Sequence, residues 1–373
     1  MLVGLVRETK QAERRVGLTP GSVLELVHHG HEVLVETGAG AGVNAADADY
    51  ESAGASVASS AAEVWGAAEM VVKVKEPQAD ERAQLRAGQI LFAYLHLAPD
   101  ADQTRDLLAS GATAVAYETV TDRAGTLPLL APMSKVAGRL AVQAGASALE
   151  SVHGGAGILI GGVPGVPGAN VVVVGGGVVG ENATEIAIGM GAAVSVLDID
   201  PQTLDHLEQR FGAGVKTVFS TRAALEQEVL AADLVIGAVL VTGDRAPKLV
   251  TAEMVSRMRP GSVVVDVAID QGGCIETSHP TTHAEPTFLV DGVVHYCVAN
   301  MPGAVPVTST RALNDATLPR VLALADDGLD ALRADEHLRA GLNVHAGMVT
   351  EPHVAKSLGL DYVPAEAALA AGN

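Results

Sequence analysis

A turn of closely spaced glycines offers the clearest chemistry in this chain. Four valines, 171–174, are typical of a buried strand and lead directly into Gly175-Gly176-Gly177-Val178-Val179-Gly180, a G-x-G-x-x-G pattern. A helix-compatible segment follows, and a second apolar strand ends near Asp198. Because strand, glycines, helix, strand and acid occur in this order, the pattern predicts a β-α-β unit that binds a dinucleotide.

The chemistry of a dinucleotide explains this spacing. Gly175 permits the tight turn out of the strand, Gly177 lets the backbone approach a pyrophosphate, and Gly180 lets the helix pack closely on the sheet. The helix N-terminus supplies N–H groups and a positive dipole end. We expect Asp198 to accept hydrogen bonds from ribose hydroxyls and to repel a 2′-phosphate, which favours NAD over NADP. The alternative is a glycine-rich turn without a ligand, in a chain that contains 41 glycines.

Four polar side chains are expected at the carboxyl ends of strands, where ligands collect in open α/β sheets: Arg15, Lys75, His96 and Asp270. Arg15 and Lys75 could hold a carboxylate, the arginine by a two-pronged contact and the lysine as a point charge. Histidine is a common general acid–base residue, so His96 could exchange protons with a carbonyl oxygen. Asp270 precedes Gln-Gly-Gly, a loop that lets the backbone come close to a ligand.

Each of these residues also has a structural interpretation. The two cations could be surface charges, His96 a core histidine and Asp270 a helix cap. For the neighbouring Arg14 and Lys73 we prefer the interpretation as ordinary surface charge. The histidines at 28, 29 and 31 and the aspartates at 326 and 327 lack further metal ligands beside them, so we assign no metal.

Length, composition and charge limit the function classes. The chain has 373 residues, of which 48% are apolar, so we expect two domains with separate cores. A net charge of −20 argues against nucleic acid or an anionic membrane as a partner. The uncharged run 156–180 is broken by prolines and glycines, and we reject a transmembrane helix. Charges within the first ten residues exclude a signal-peptide core, and Cys274 and Cys297, interpreted as small buried apolar residues, fit a reducing cytoplasm.

Helices and strands that alternate along the chain would position these residues. In the first part the expected strands are 2–6, 32–36, 70–75, 89–95 and 114–117, with helices at 21–29, 47–54, 61–69 and 101–111. In the second part the expected strands are 169–174, 192–200, 216–219, 233–241, 261–269 and 293–298, with helices at 181–191, 201–211 and 221–231. Further helices are expected at 134–150, as a connector between domains, and at 309–327.

This alternation predicts an α/β fold of two doubly wound, Rossmann-like domains joined by long helices. Residues 1–128 and 306–373 are expected to form a substrate domain, because the helices of the C-terminal part need a sheet to cover. Residues 129–305 are expected to form the NAD-binding domain.

Several short segments carry a resemblance to a known family. They are Arg7–Lys10 with Glu13–Val16, Val72–Pro77, Tyr94–Leu97 around His96, Leu129–Ser134, Gly161–Val166, Asp266–Cys274 and Tyr296–Pro302. In these segments, and over nearly its whole length, the chain resembles the family of alanine dehydrogenases and of the nicotinamide-binding alpha subunits of proton-translocating transhydrogenases. Relatives commonly carry a basic residue after Gly154-Gly155, where this chain has Ala156, so a local polar contact is in doubt.

The resemblance implies a role for individual residues. Arg15 and Lys75 would bind the carboxylate and carbonyl of a 2-oxo or amino acid, and His96 and Asp270 would be the acid–base pair. The other residues that it places along the NAD site are Ser134, Asp198, Ser220, Val239, Leu240, Val267, Ala268, Ile269, Val298, Ala299, Asn300 and Met301, together with Asp270 itself. It also implies a homohexamer.

The implied activity is the reversible oxidative deamination of L-alanine by NAD⁺ and water to pyruvate, ammonium and NADH. The partners would be small molecules, without nucleic acid or membrane. Two alternatives stay open: the soluble NAD(H)-binding module of a transhydrogenase, which needs a membrane partner, and an NAD-binding protein without turnover. The sequence leaves open the discrimination among alanine, serine and glycine.

Overall fold

The structure, a computed structural model, describes residues 1–239 and 246–371. Its strands are β1 Leu2–Leu5, β2 Glu32–Glu36, β3 Ser56–Ala58, β4 Met70–Val72, β5 Ile90–Ala93, β6 Thr113–Ala116, β7 Asn170–Val174, β8 Ala193–Asp198, β9 Val215–Phe219, β10 Leu234–Gly237, β11 Val263–Asp266, β12 Thr287–Val290, β13 Val293–Tyr296, β14 Leu342–His345 and β15 Met348–Val349. Its α-helices are α1 Pro20–His28, α2 Asp47–Ser52, α3 Ala61–Ala67, α4 Ala79–Arg82, α5 Ala101–Ser110, α6 Ala131–Ala148, α7 Val178–Gly189, α8 Pro201–Phe211, α9 Arg222–Ala231, α10 Ala252–Ser256, α11 Pro306–Asp327, α12 Leu329–Ala334, α13 Glu336–Arg339, α14 Pro352–Leu358 and α15 Ala365–Ala371.

The chain divides into two compact units, each with its own sheet. Unit 1 comprises Met1–Pro132 and Val305–Asn373, and unit 2 comprises Met133–Ala304. The first boundary therefore falls inside α6 and the second just before α11. Among the described residues, no helix combines the length and the apolar character that crossing a membrane requires.

Unit 1 is built on a sheet whose described strands run in the order β15-β14-β6-β5-β4-β1-β2-β3. The six strands from β3 to β6 pair in parallel, as predicted, and follow a doubly wound order that reverses between β1 and β4. The sequence analysis missed β3, β14 and β15. β14 adds antiparallel to β6, and all four of its residues, LNVH, are buried; its apolar-polar alternation is only four residues long.

The central strands of the sheet of unit 1 are packed on both faces, because every residue of β4, β5 and β6 is buried. Leu91 on β5 and Val71 on β4 are fully buried in a cluster that includes Leu107 of α5 and Val354 of α14. Burying a side chain of this size contributes about 1.5–3 kcal/mol. The loops at the carboxyl ends of these strands therefore start from fixed positions.

Unit 2 has the described strand order β12-β13-β11-β10-β7-β8-β9. All neighbours pair in parallel except the edge strand β12, which is antiparallel to β13. The order reverses between β7 and β10, the position at which open α/β sheets bind nucleotides. Both units are thus doubly wound, and the predicted fold class is confirmed.

The strands that lead to Lys75, His96 and Asp270 end earlier than predicted, at Val72, Ala93 and Asp266. Past two of these ends a carboxylate accepts a backbone hydrogen bond: buried Glu8 accepts from the N–H of Val74 at 2.7 Å, and partly buried Glu118 accepts from the N–H of Leu95 at 3.1 Å. Lys75 and His96 consequently lie in loops just past their strands. Asp270 lies in a 3-10 helix, Val267–Gln271, that follows β11.

Candidate active site

The glycine turn of unit 2 has a geometry that requires glycine at two positions and leaves open space at a third. Gly175 has a φ of +99°, which L side chains rarely adopt. A Cβ on Gly180 would lie 1.8 Å from the carbonyl oxygen of Gly175, so α7 packs directly on the turn. A Cβ on Gly177 would meet nothing within 4 Å. The turn therefore presents an accessible backbone at the start of α7, as pyrophosphate binding needs.

The carboxylate of Asp198 is fixed beside this turn. Its Oδ2 accepts a hydrogen bond from the N–H of Gly176 at 2.6 Å, and its Oδ1 accepts one from the N–H of Asp200 at 2.9 Å. Ser220 joins the same edge of the sheet, since its N–H donates to the carbonyl of Asp198 at 2.9 Å. The half-buried carboxylate thus lies at the end of β8 with its position set by backbone contacts.

Helix α6 contributes Ser134 to the same unit. A Cβ on Gly138, one turn later, would lie 2.2 Å from the carbonyl oxygen of Val179, so α6 and α7 are in close contact there. Val239 also lies beside the turn, because its Cγ2 would be 3.0 Å from a Cβ on Gly175. Leu240, the next predicted residue, lies outside the described residues.

Asp270 belongs to a second loop cluster of unit 2. Its Oδ2 accepts a hydrogen bond from the N–H of Asn300 at 3.3 Å, and Asn300 has a left-handed backbone with φ +62°. The carbonyl of Asn300 lies 3.2 Å from Nε2 of His283. The exposed carboxylate of Asp270 is therefore linked to the segment that the sequence resemblance places at the cofactor.

The predicted residues around Asp270 differ in what they can offer a ligand. Ile269, Val298 and Met301 are buried, whereas the side chains of the other four are at least partly exposed: Val267, Ala268, Ala299 and Asn300. The sequence analysis missed Asp266, whose fully buried carboxylate accepts from the N–H groups of Cys274 and Ile275 at 3.2 and 3.0 Å. Its sequence signal is an acid that closes an apolar strand. Ala156 is exposed, and its N–H donates to Gly261.

Three of the predicted substrate residues meet around one tyrosine in unit 1. The Nζ of Lys75 lies 5.9 Å from the ring centroid of Tyr94, and the ring of His96 is parallel to that of Tyr94 at a centroid distance of 5.9 Å. The hydroxyl of Tyr94 donates to the carbonyl of Leu129 at 2.6 Å. Burial raises the pKa of Tyr94 well above its ordinary value, although the nearby Arg15 charge lowers it. The sequence analysis assigned no role to Tyr94, whose ring lies beside both Lys75 and His96.

Arg15 is a buried cation rather than a surface charge, since only 2% of its surface is exposed. Its Nε and one terminal nitrogen donate to the two oxygens of Glu13 at 2.7 and 2.5 Å. Burial alone would lower the pKa of the guanidinium, but the hydrogen bonds and the charge of Glu13 raise it above its ordinary value. The guanidinium is thus charged and held in one orientation.

His96 has a strained backbone and an accessible ring. Its φ is +49°, a conformation that costs a non-glycine residue free energy and that occurs most often at functional sites. Its N–H donates to Oε1 of Glu118 at 2.6 Å, and its Nδ1 lies 3.7 Å from the same oxygen. Because 46% of the side chain is exposed, the core-histidine interpretation does not hold.

The interpretation of Lys73 as a surface charge is wrong, although Arg14 is exposed as expected. Lys73 is 1% exposed, and its Nζ lies 2.8 Å from Glu81 and 3.3 Å from Glu8. Glu8 also accepts from the N–H of Lys75 at 3.3 Å. Lys73 and its two partners are all buried, and Glu8 connects this group to the loop that carries Lys75.

The interpretation of the two cysteines agrees with the structure, whereas that of the histidines near residue 30 does not. Cys274 and Cys297 are both buried, as expected, and burial raises the pKa of Cys297 to about 11. The statement that the histidines near residue 30 lack further ligands is wrong. The fold brings His29 and His31 next to Asp326, which is far away in the sequence.

Comparisons with known proteins extend over nearly the whole chain. The family profile described as "Alanine dehydrogenase/PNT, N-terminal domain" matches residues 4–137, and "Alanine dehydrogenase/PNT, C-terminal domain" matches residues 141–352. The chain is 60% identical to an alanine dehydrogenase of Halomonas elongata over 98% of this chain and 99% of that protein. It is 53% identical to an alanine dehydrogenase of Bacillus subtilis over 99% and 98%, respectively.

Two solved structures resemble this chain to different degrees. A structure titled L-alanine dehydrogenase matches with a TM-score of 0.94 and 53% identity, covering 96% of this chain and 99% of that one. A transhydrogenase from Sinorhizobium meliloti matches with a TM-score of 0.83 and 27% identity, covering 94% and 100%.

Proposed function

Because the chain belongs to the alanine dehydrogenase/PNT family, we propose that it catalyses the reversible NAD-dependent oxidative deamination of L-alanine to pyruvate and ammonium. The geometric observation that best supports this proposal is that Lys75, His96 and the buried Arg15 lie around Tyr94. These groups suit a small molecule with a carboxylate and a carbonyl or amine. The transhydrogenase alternative is less favoured because the chain is 27% identical to the transhydrogenase structure and 53% identical to the alanine dehydrogenase structure.

In this proposal, unit 1 binds the amino acid and unit 2 binds NAD. Lys75 attracts the substrate carboxylate or carbonyl as a point charge, and the fixed guanidinium of Arg15 adds a second cation. The pair sets the orientation of the Cα–H bond, and orientation of this kind can lower a barrier substantially. When bound, NAD⁺ accepts the hydride from Cα.

Asp270 and His96 handle the protons in this proposal. Asp270 accepts a proton from the amine as the Cα–H bond breaks and the substrate becomes an imine. After Asp270 has released that proton to solvent, a water molecule adds to the imine carbon and gives a proton to Asp270. Asp270 passes this proton to the amino nitrogen, and His96 accepts the hydroxyl proton of the carbinolamine as the C–N bond breaks, the carbonyl forms and ammonia leaves. General acid–base groups of this type contribute about 10²–10⁴ in rate.

The preference for NAD over NADP is proposed from Asp198. Its carboxylate is held at the end of β8, beside the accessible backbone of Gly177. A carboxylate at this position hydrogen-bonds ribose hydroxyls and repels a 2′-phosphate. The other predicted residues of unit 2, including Ser134 and Ser220, would complete the cofactor site.

A cytoplasmic homohexamer is proposed from the family resemblance. One feature of unit 2 supports self-association: the segment 151–166 exposes the apolar side chains of Val152, Leu159, Val163 and Val166, and contiguous exposed apolar surface is typical of interaction sites. Light scattering on the purified protein gives the molar mass that tests the hexamer.

The function is tested by mixing the purified chain with NAD⁺ and L-alanine and following NADH absorbance. The proposal expects turnover without any partner and little activity with NADP⁺. A transhydrogenase module would give no NADH from L-alanine. A non-catalytic protein would bind NADH, as judged by fluorescence, and show no turnover with any amino acid.

A further inference from the structure

The turn between α1 and β2 meets the last turn of α11 in a cluster of possible metal ligands. His29 and His31 flank Gly30, whose φ of +85° reverses the chain, and Asp326 approaches from α11. The Nδ1 of His29 lies 3.1 Å from Oδ2 of Asp326, and the Nε2 of His31 lies 2.8 Å from its Oδ1. One donor atom from each residue lies within 4.8 Å of the other two.

These separations are close to those of a metal site. Zinc binds imidazole nitrogen and carboxylate oxygen at about 2.0–2.2 Å, which places the ligand atoms of a tetrahedral site about 3.4 Å apart. The three residues thus need only small shifts to surround one ion. His29 and Asp326 are exposed, so water can fill the fourth position. Two imidazoles with one carboxylate suit zinc and similar transition ions better than Mg²⁺ or Ca²⁺, which prefer oxygen ligands.

The ring of His31 is oriented for this role, because its Nδ1 faces the amino nitrogen of Met1 at 3.3 Å while its Nε2 faces Oδ1 of Asp326 at 2.8 Å.

We propose that His29, His31 and Asp326 form a binding site for a divalent transition-metal ion. His31 directly precedes β2, so the site lies at the amino-terminal edge of the sheet in unit 1, whereas Arg15, Lys75 and His96 follow the carboxyl ends of strands. Its role is structural: the ion links the N-terminal segment of unit 1 to α11.

Calorimetric titration of chelator-treated full-length protein with ZnCl₂ tests the proposal. The wild type should bind one more ion per chain than His29→Ala, His31→Ala or Asp326→Asn. Each variant should lose more than the roughly 10–100-fold in affinity that removal of an outer partner costs a metal site. The matched control is His28→Ala, an exposed neighbouring histidine outside the cluster, and it should bind as the wild type does.

Thermal unfolding gives an independent measurement. At a free zinc concentration about 100 times the dissociation constant, the midpoint for unit 1 should rise by about 5–10 °C in the wild type and in His28→Ala. The three ligand variants should show no rise. Equal zinc stoichiometry in the wild type and all three ligand variants, or a thermal shift that persists in them, would overturn the proposal and leave the cluster as an ion pair only.

Discussion

Replacing Lys73 by methionine should destabilise unit 1 strongly, although the change keeps a side chain of similar length. Lys73 is buried between Glu8 and Glu81, at 3.3 and 2.8 Å. Methionine fills the space, so the substitution tests the charge rather than the packing. It leaves two carboxylates that are themselves almost fully inaccessible to water.

The size of the effect follows from the burial of the partners. Removing one member of a buried ion pair costs about 3–5 kcal/mol, because the remaining charge has lost its compensation. Glu8 keeps its hydrogen bond from Val74, and either carboxyl can take up a proton, so we expect about 3–4 kcal/mol. An exposed pair is typically worth less than about 1 kcal/mol. Lys216→Met is the control, because the Lys216 side chain is 60% exposed and water screens its contact with Glu228, whose side chain is 11% exposed.

The free energy of unfolding of the Lys73→Met variant should change with pH in one direction. Burial raises the pKa of Glu8 above its ordinary value, and the charge of Lys73 lowers it. Without Lys73 the pKa of Glu8 in the folded protein rises further, so the folded state binds more protons than the unfolded state. Stability is then greatest below the unfolded pKa and falls as the pH rises through the folded pKa. The loss caused by Lys73→Met should therefore grow as the pH rises above the ordinary pKa of a glutamate.

Urea unfolding of the wild type and both lysine variants measures these differences. A triple variant, Lys73→Met with Glu8→Gln and Glu81→Gln, should recover most of the lost stability, because the uncompensated charges are gone. If Lys73→Met costs no more than Lys216→Met at neutral pH, or if its cost shrinks as the pH rises, the buried charge network does not act as described.

Three further predictions concern the site. Asp198→Ala should weaken NAD binding and reduce the preference for NAD over NADP. Fluorescence titration with NADH and NADPH measures both effects, and a wild type that uses the two cofactors equally well contradicts the prediction. Gly180→Ala should prevent cofactor binding or destabilise unit 2, because its Cβ would lie 1.8 Å from a carbonyl oxygen, whereas Gly189→Ala, with open space around it, should be nearly silent in binding and thermal unfolding. His96→Ala should lower the rate of pyruvate reduction by about 10²–10⁴ while NADH affinity stays the same; an unchanged rate would remove His96 from the chemistry.

The sequence predicted the features that depend on local pattern. The valine run and the glycine spacing led to β7, α7 and β8, and Thr19 followed by Pro20 led to the start of α1, where Thr19 accepts from the N–H of Ser22. The alternation of helices and strands also indicated that the first sheet is largely parallel. These signals lie within a few residues of one another, so tertiary contacts reinforce them rather than decide them.

The features that the sequence could not give depend on long-range contacts. Lys73 looks like any lysine until the fold places Glu8 and Glu81 around it. Past the strands before Lys75 and His96, the N–H groups of Val74 and Leu95 donate to Glu8 and Glu118 instead of to a neighbouring strand. A strand as short as β14 offers only four alternating residues, and it forms where β6 provides a strand edge to pair with.

The central claim, direct hydride transfer from L-alanine, is tested most directly with L-alanine that carries deuterium on Cα. In a single turnover with NAD⁺, the account predicts that the deuterium appears in NADH and that its transfer is slower than that of hydrogen. Asp270→Asn should lower this rate by about 10²–10⁴ without loss of NADH binding. Deuterium that appears in water instead of NADH, or full activity in Asp270→Asn, would contradict the account.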